Sequence, residues 1–279
     1  MRFARLGPAG SERPVVVAED GTYLDLTGVT DDIDARFLAS GGPERARAAL
    51  ASLPRLDVPE GMRVGAPIAR PGKIVCIGLN YARHAAETGA QPPAEPVVFM
   101  KAPDTVVGPD DDVLIPRKSA KTDYEVELAV VIGSTARYLD STDDAAAHIA
   151  GYAISNDVSE REFQLERGGQ WDKGKNCETF NPLGPWLVTP EGLDVPALRL
   201  RSWVNGEARQ DETAADMIFD VPHLVWYLSQ FMVLHPGDIV NTGTPAGVAM
   251  GLPGQPYLRP GDVVELEIDG LGKQRQRLV

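Results

Sequence analysis

The stretch 124–133, YEVELAVVIG, reads as the strongest strand in the chain. Val126, Leu128, Val130 and Val131 form an almost unbroken apolar run, as in a strand that is largely buried. Glu125 and Glu127 lie two apart within it. The two-residue period of a strand sends both carboxylates to one face. Like charges on one buried face repel unless a cation or a proton lies between them. Ligation by oxygen alone suits Mg²⁺, Ca²⁺ or Mn²⁺ rather than Zn²⁺. An E-x-E pair by itself is more often part of an amphipathic strand with both glutamates in water.

A third acid lies downstream. Residues 150–156 read as a second apolar strand, and Asp157 ends it. If the two strands are neighbours, Asp157 completes a three-carboxylate site. Alternatively it caps the helix expected over 159–167, where Ser159 and Glu162 have capping-box spacing. Arg161 and Gln164 are three apart on that helix and share a face. Lys175 follows in a glycine-rich loop. Two cations and an amide beside a metal suit a substrate rich in carboxylate and carbonyl oxygens. Residues 81–88 read as a short helix on which His84 and Glu87 form an H-x-x-E pair. A carboxylate beside a histidine can orient it and share in activating a water. His148, His223 and His235 have no comparable neighbours and read as structural.

Outward from this centre, further strands are expected at 73–78, 96–100 and 112–115, and then at 187–188, 198–204, 238–242 and 262–268. Helices are expected at 142–149 and 221–231. The first seventy residues look separate, with short strands at 15–17 and 23–26 about the turn Glu19-Asp20-Gly21 and helical composition over 43–53. Pro54, Pro59, Gly61, Pro67, Pro71 and Gly72 then break the chain, placing a boundary near Arg70. The expected organisation is a small N-terminal α+β domain, 1–70, and a catalytic domain, 71–279. Regular βαβ alternation and internal repeats are lacking, so the class is α+β and β-rich.

Composition narrows the function. Over 279 residues, 27 Lys and Arg stand against 40 Asp and Glu, a net charge of −13. That balance argues against non-specific nucleic-acid binding, which needs surface cations. With 43% hydrophobic and 24% charged residues, the chain is not disordered. Cys76 and Cys177 make no disulfide framework, consistent with a reducing compartment. No apolar run approaches a membrane span, and the N-terminal MRFARLGPAGSERP lacks the apolar region of a secretory signal. A cytoplasmic protein with no membrane partner is expected. Residues 169–176 nearly match the phosphate-binding G-x-x-x-x-G-K-[ST], but Asn176 replaces the Mg²⁺-holding hydroxyl and no strand precedes it. G-x-S-x-G, C-x-x-C and H-E-x-x-H are absent.

Several motifs in order resemble the fumarylacetoacetate hydrolase family from about Lys73 to the C-terminus: Gly78-Leu79-Asn80-Tyr81 with His84 and Glu87, Val98-Phe99-Met100-Lys101, Tyr124-Glu125-Val126-Glu127-Leu128, Asn156-Asp157 with Arg161 and Gln164, Gly174-Lys175, and 242–248, TGTPAGV. The resemblance implies a core of rolled, mixed β-sheets, dimeric, with the site at its open end. It implies Glu125, Glu127 and Asp157 as ligands of Mg²⁺, with Mn²⁺ or Ca²⁺ as alternatives. It makes His84 and Glu87 the water-activating pair and places Arg161, Gln164 and Lys175 around the substrate oxyanion. Thr244 would contact the substrate carboxylate, and Lys101 is a recurrent lysine of the site. The implied reaction is hydrolysis of a carbon–carbon bond in a 2,4-diketo acid, an acylpyruvate or a 2,4-diketo-3-deoxy sugar acid, giving pyruvate or a similar keto acid and a second acid. Oxaloacetate decarboxylation and hydroxymuconate isomerisation or decarboxylation run on the same scaffold. A catalytically silent keto-acid-binding protein is the alternative of another class, and the retained His84 and Glu87 weigh against it.

Overall fold

The computed structural model describes residues 1–279. Strands of three residues or more are numbered here in chain order: β1 Arg2–Leu6, β2 Arg13–Val17, β3 Tyr23–Asp25, β4 Ile74–Gly78, β5 Val97–Lys101, β6 Val126–Ile132, β7 Ile149–Asn156, β8 Asn181–Val188, β9 Arg199–Val204, β10 Glu207–Thr213, β11 Ile239–Asn241, β12 Val263–Ile268 and β13 Gly272–Arg277. The α-helices are α1 Ala35–Ala39, α2 Gly42–Ala49, α3 Ala82–Glu87, α4 Asp172–Lys175 and α5 Val221–Ser229.

A twelve-stranded mixed sheet runs in the order Arg55–Leu56, β3, β2, β1, β8, β7, β6, β11, β4, β5. Val64–Gly65 pairs with β1 and Val106–Val107 with β8. A four-stranded antiparallel sheet, β10-β9-β12-β13, packs against it. Leu128, Val130 and Ile154 of the large sheet share one core with Leu200, Val264 and Leu266 of the small sheet and with Leu224 and Leu228 of α5. Every residue of β6 is buried, as its continuous apolar run requires. The α+β, β-rich expectation is borne out.

The antiparallel register of β6 and β7 is the feature that matters for chemistry. Val126 faces Asn156 and Glu127 faces Ser155. One step further, the backbone N–H of Asp157 donates to the Glu125 carbonyl at 3.0 Å. Glu125 and Asp157 therefore face each other across the two strands, with Glu127 two residues along the same face.

Some sequence expectations are corrected. Residues 159–167 do not form an α-helix. Ser159–Glu160 pairs instead with Thr122–Asp123, and a single π-helical turn, Glu162–Glu166, follows. The Ser159 hydroxyl donates to the Asp157 carbonyl, so no capping box forms. The pairing with 122–123 wins because it hides the backbone of a wholly buried segment, which a capped helix at the surface would not do. Residues 112–115 make a short parallel pairing with the C-terminal residues rather than a full strand: Val113 bridges Leu278, and the Val113 and Ile115 N–H groups donate to Arg277 O and Val279 O. Residues 142–148 wind as a 3₁₀ rather than an α-helix, behind a capping box of Ser141 and Asp144. β1, β10 and β13 escaped the sequence reading. In β13 the inward residues are Gln274 and Gln276, whose amide groups bond to Ile154 O, Gly184 O and Pro109 O. A hydrophobic period cannot reveal a strand with a polar inner face.

The first seventy residues carry a local cluster in which Phe3, Val16, Leu26 and Phe37 pack with Ile68. That cluster also takes in Val131 and Leu187 of the large sheet, and β1 pairs directly with β8. Deleting residues 1–70 would bare the β8 edge and uncover both side chains, each worth about 1.5–3 kcal/mol when buried. The 71–279 fragment is expected to unfold at lower urea concentration than the full chain and to aggregate. Equal stability and solubility would show that the segment is dispensable for the fold.

Candidate active site

Glu125, Glu127 and Asp157 are all buried, and one oxygen from each lies within 4.8 Å of the others. Four carboxylates, these three and Asp123, meet three buried cations here. Lys175 Nζ donates to Glu125 Oε2 at 2.6 Å and to Asp157 Oδ2 at 2.7 Å. Lys101 Nζ donates to Asp157 Oδ1 and to Val158 O. Arg161 binds Glu125 Oε1 at 2.7 Å and Asp123 Oδ2 at 2.9 Å. Asp157 is thus a partner of two lysines and not a helix cap.

Glu127 stands apart. Its one protein partner is the Gly243 N–H, at 2.9 Å. Burial, then the charges of Asp157 and Glu125, push its carboxyl well above the ordinary range. Burial pushes Glu125 upward too, but Lys175 and Arg161 override it and hold that carboxyl far below its ordinary value. Burial also disfavours the Lys175 ammonium, yet Asp157 and Glu125 raise its pKa. One buried carboxylate without a cationic partner, beside two whose oxygens share a small volume, fits a divalent cation with oxygen ligands. Such a cation would be held by Glu125, Glu127 and Asp157.

Binding it requires Glu127 to give up its proton. Affinity for Mg²⁺ or Mn²⁺ is therefore expected to rise with pH, by up to about tenfold per unit while that one group titrates. Calorimetry in buffers of different ionisation heat should report close to one proton released. A pH-independent affinity with no proton release would refute the assignment of Glu127.

A cavity of ≈ 210 Å³ opens over this cluster. Glu125, Glu127, Arg161, Gln164, Lys175 and Thr244 contribute to its lining, together with His84. Asp157 and Lys101 are buried beneath this lining. Arg161 Nη1 donates to Gln164 Oε1 at 3.0 Å, which leaves the Gln164 amide N–H groups without a protein acceptor. The Thr244 hydroxyl donates to Val126 O at 2.9 Å and accepts from Gln210 Nε2 at 2.7 Å.

His84 and Glu87 are in contact, Nδ1 to Oε1, at 2.9 Å. A carboxylate only accepts, so Nδ1 donates to Glu87, and in the neutral imidazole the lone pair would then lie on Nε2. Glu87 is not part of the cavity wall; it lies behind His84, anchored by the Gly247 N–H at 3.0–3.1 Å. Gly247 has φ +107°, and a Cβ there would fall 2.1 Å from Arg209 O. Only glycine lets this N–H reach Glu87.

Asp123 was not anticipated. Its oxygens accept from Arg161 Nε, from the Ala249 and Met250 N–H groups and from its own neighbour's, Tyr124 N. Its position next to the YEVE motif was the one available signal. The loop 247–250 thus holds Glu87 through one N–H and Asp123 through two more. Asp123→Asn would turn an NH₂ toward N–H donors whichever way the amide lies. It is expected to cost about 3–5 kcal/mol in urea unfolding and, by loosening Arg161, about 10²-fold in kcat. Wild-type stability and turnover in this variant would remove Asp123 from the site.

Residues 73–279 match the family model described as fumarylacetoacetate (FAA) hydrolase C-terminal, and the chain belongs to the fumarylacetoacetate hydrolase family. A relative from Burkholderia ambifaria, named no more specifically than as a hydrolase, is 48% identical over 280 residues, covering 99% of this chain and 98% of its own. The structure of fumarylacetoacetate hydrolase from Exiguobacterium antarcticum superposes with a TM-score of 0.87 at 34% identity, covering 100% of this chain and 99% of that one. That of a probable 2-hydroxyhepta-2,4-diene-1,7-dioate isomerase from Mycobacterium abscessus gives 0.85 at 34% identity, with 100% and 98% covered. The same fold at equal identity thus carries a hydrolase name and an isomerase name.

Proposed function

We propose that the protein is a divalent-metal-dependent hydrolase that cleaves a carbon–carbon bond in a 2,4-diketo acid, releasing pyruvate or a similar keto acid and a second acid. The observation that carries this reading is the convergence at one cavity of a three-carboxylate cluster, two candidate oxyanion donors and a histidine whose Nδ1 is engaged by Glu87. The bound cation, with Mg²⁺ the expected ion, would polarise the keto and carboxylate oxygens and stabilise an enolate leaving group.

The chain's own residues supply the rest. His84 Nε2 takes a proton from water, and Glu87 keeps Nδ1 protonated and steadies the resulting imidazolium. The hydroxide attacks the distal carbonyl. Arg161 and the free N–H groups of Gln164 stabilise the oxygen as it becomes an alkoxide. Lys175 offsets the charge of Glu125 and Asp157, and Lys101 that of Asp157. The carbon–carbon bond then breaks, and the imidazolium returns its proton to the carbanion end. The Thr244 hydroxyl, already engaged by Val126 O, would meet a substrate carboxylate with its backbone rather than its O–H.

Isomerisation and decarboxylation use the same enolate stabilisation without water. The discriminating group is the His84–Glu87 pair, which only hydrolysis needs as a water-activating base. Acylpyruvates, diketo-deoxy sugar acids, oxaloacetate and hydroxymuconates, each assayed with Mg²⁺ and Mn²⁺, would separate the three chemistries. Glu87→Gln is expected to slow hydrolysis about 10²–10⁴-fold with metal affinity unchanged, because a neutral amide no longer steadies the imidazolium formed when His84 takes the proton. CO₂ release from oxaloacetate persisting at the wild-type rate, with no hydrolytic product in either protein, would favour the decarboxylase reading. A homodimer in the cytoplasm belongs to the same proposal. No helix is long and apolar enough to cross a membrane.

A further inference from the structure

The cavity wall is divided by depth. The charged and hydrogen-bonding side chains that line it, from Glu125 to Thr244, are buried. The partly or fully exposed lining residues are Leu79, Thr88, Ala90, Leu165, Trp171 and Met250, and Thr88 is the one polar side chain among them. The floor is therefore ionic and the mouth is apolar. Leu165, 45% exposed, stands at that mouth. Trp171 packs edge-on against Phe99, with ring centroids 5.4 Å apart. It also lies so close over Gly78 that a Cβ there would be 2.4 Å from the indole ring.

Most cations on the segments that carry the mouth are engaged by carboxylates, and the exposed Lys173, two residues after Trp171, donates to Arg167 O. Arg167, on the turn that carries Leu165, is paired with Glu162, and Lys121 is paired with Glu166 of the same turn. Arg83, beside His84, is paired with Glu212. Arg161 and Lys175 are committed to the floor. A polyol or carboxylate tail reaching the mouth would lose water and find hydrocarbon.

We propose that the substrate is a monocarboxylate 2,4-diketo acid whose acyl tail is an alkyl or aryl group, the ionic head binding at the floor and the tail lying against Leu79, Leu165, Trp171 and Met250. This rests on the diketo-acid reading above and narrows it. Tail selection then follows from burial of hydrocarbon, and dicarboxylate or sugar-acid substrates are disfavoured by the scarcity of donors at the mouth, where the Thr88 hydroxyl is committed to His84 O and Ala85 O and the Trp171 indole N–H remains.

The test uses the Mg²⁺-loaded full chain and 2,4-diketo acids that share the head and differ in the tail: methyl, longer unbranched alkyl, phenyl, polyol and ω-carboxylate. We expect kcat/KM to rise about threefold to fourfold per methylene until the mouth is filled. The ω-carboxylate and polyol tails should fall at least about tenfold below alkyl tails of the same length. Leu165→Lys should shift the ratio toward the ω-carboxylate tail by about tenfold, since the new ammonium stands at the mouth. Turnover that favours polyol or ω-carboxylate tails overturns the inference and leaves the hydrolase reading intact. Calorimetric binding of unreactive 2-oxo monocarboxylates with alkyl tails of increasing length, against 2-oxo dicarboxylates, reads the same preference without turnover. Tail-dependent binding with no cleavage of any diketo acid would sink the reaction and keep the inference. Binding indifferent to the tail would sink the inference.

Discussion

The pairing of Glu125 with Asp157 across β6 and β7 governs much of the rest of the molecule. An antiparallel register sets two carboxylates opposite each other, and the strand period adds Glu127 to the same face. In a buried sheet such a cluster is costly unless countercharges are held in fixed places. Lys101 on β5, Lys175 on α4 and Arg161 after the Ser159–Glu160 bridge provide them. Three separate stretches of chain are thereby drawn onto the end of one sheet. Their cationic groups fall one short of the carboxylates they meet, and the shortfall is concentrated at Glu127. A site built this way is stable enough to form and still has a strong preference for one more positive charge.

The reacting groups are tied together through backbone as well as side chains. Loop 247–250 turns successive N–H groups toward two carboxylates, Glu87 and Asp123. One of these orients His84 and the other orients Arg161. His84 and Arg161 thus share one mount, which favours a fixed distance between them. It also explains a glycine at 247, where the backbone must pass close to Arg209 O and keep a positive φ. Above that mount the chemistry changes from ionic to apolar within one small cavity.

The local sequence determined a good deal. The apolar run at β6, the alternation of Glu125 and Glu127, the acid that ends β7 and the i, i+3 spacing of His84 and Glu87 are all properties of short segments. So are α5, with Asp220 accepting from the His223 N–H at its start, and the strands β4, β7, β9 and β12. Apolar periodicity reports which face is buried, and it does so without knowledge of the partner. What stayed out of reach were the elements whose inner faces are polar. β13 with its buried glutamines and β1 with its half-polar sequence carry no such period.

Tertiary structure decided the questions that turn on a partner far away in the chain. Whether Asp157 caps a helix or joins the carboxylates depended on Lys101, 56 residues before it, and on the pairing of 159–160 with 122–123. Lys175 sits in what resembled a phosphate loop, and only the fold turned it inward to Glu125, 50 residues away. Glu87 was visible as half of a pair, but its place behind His84 follows from Gly247, 160 residues on. Asp123 had no pattern to mark it, because its role consists entirely of bonds to Arg161 and to the 249–250 backbone. Charge compensation and backbone hydrogen bonding act over distances in space that have no counterpart in sequence spacing. The candidate residues were therefore written in short motifs, while their arrangement into carboxylate cluster, countercharges and histidine pair was settled by which strands lie side by side.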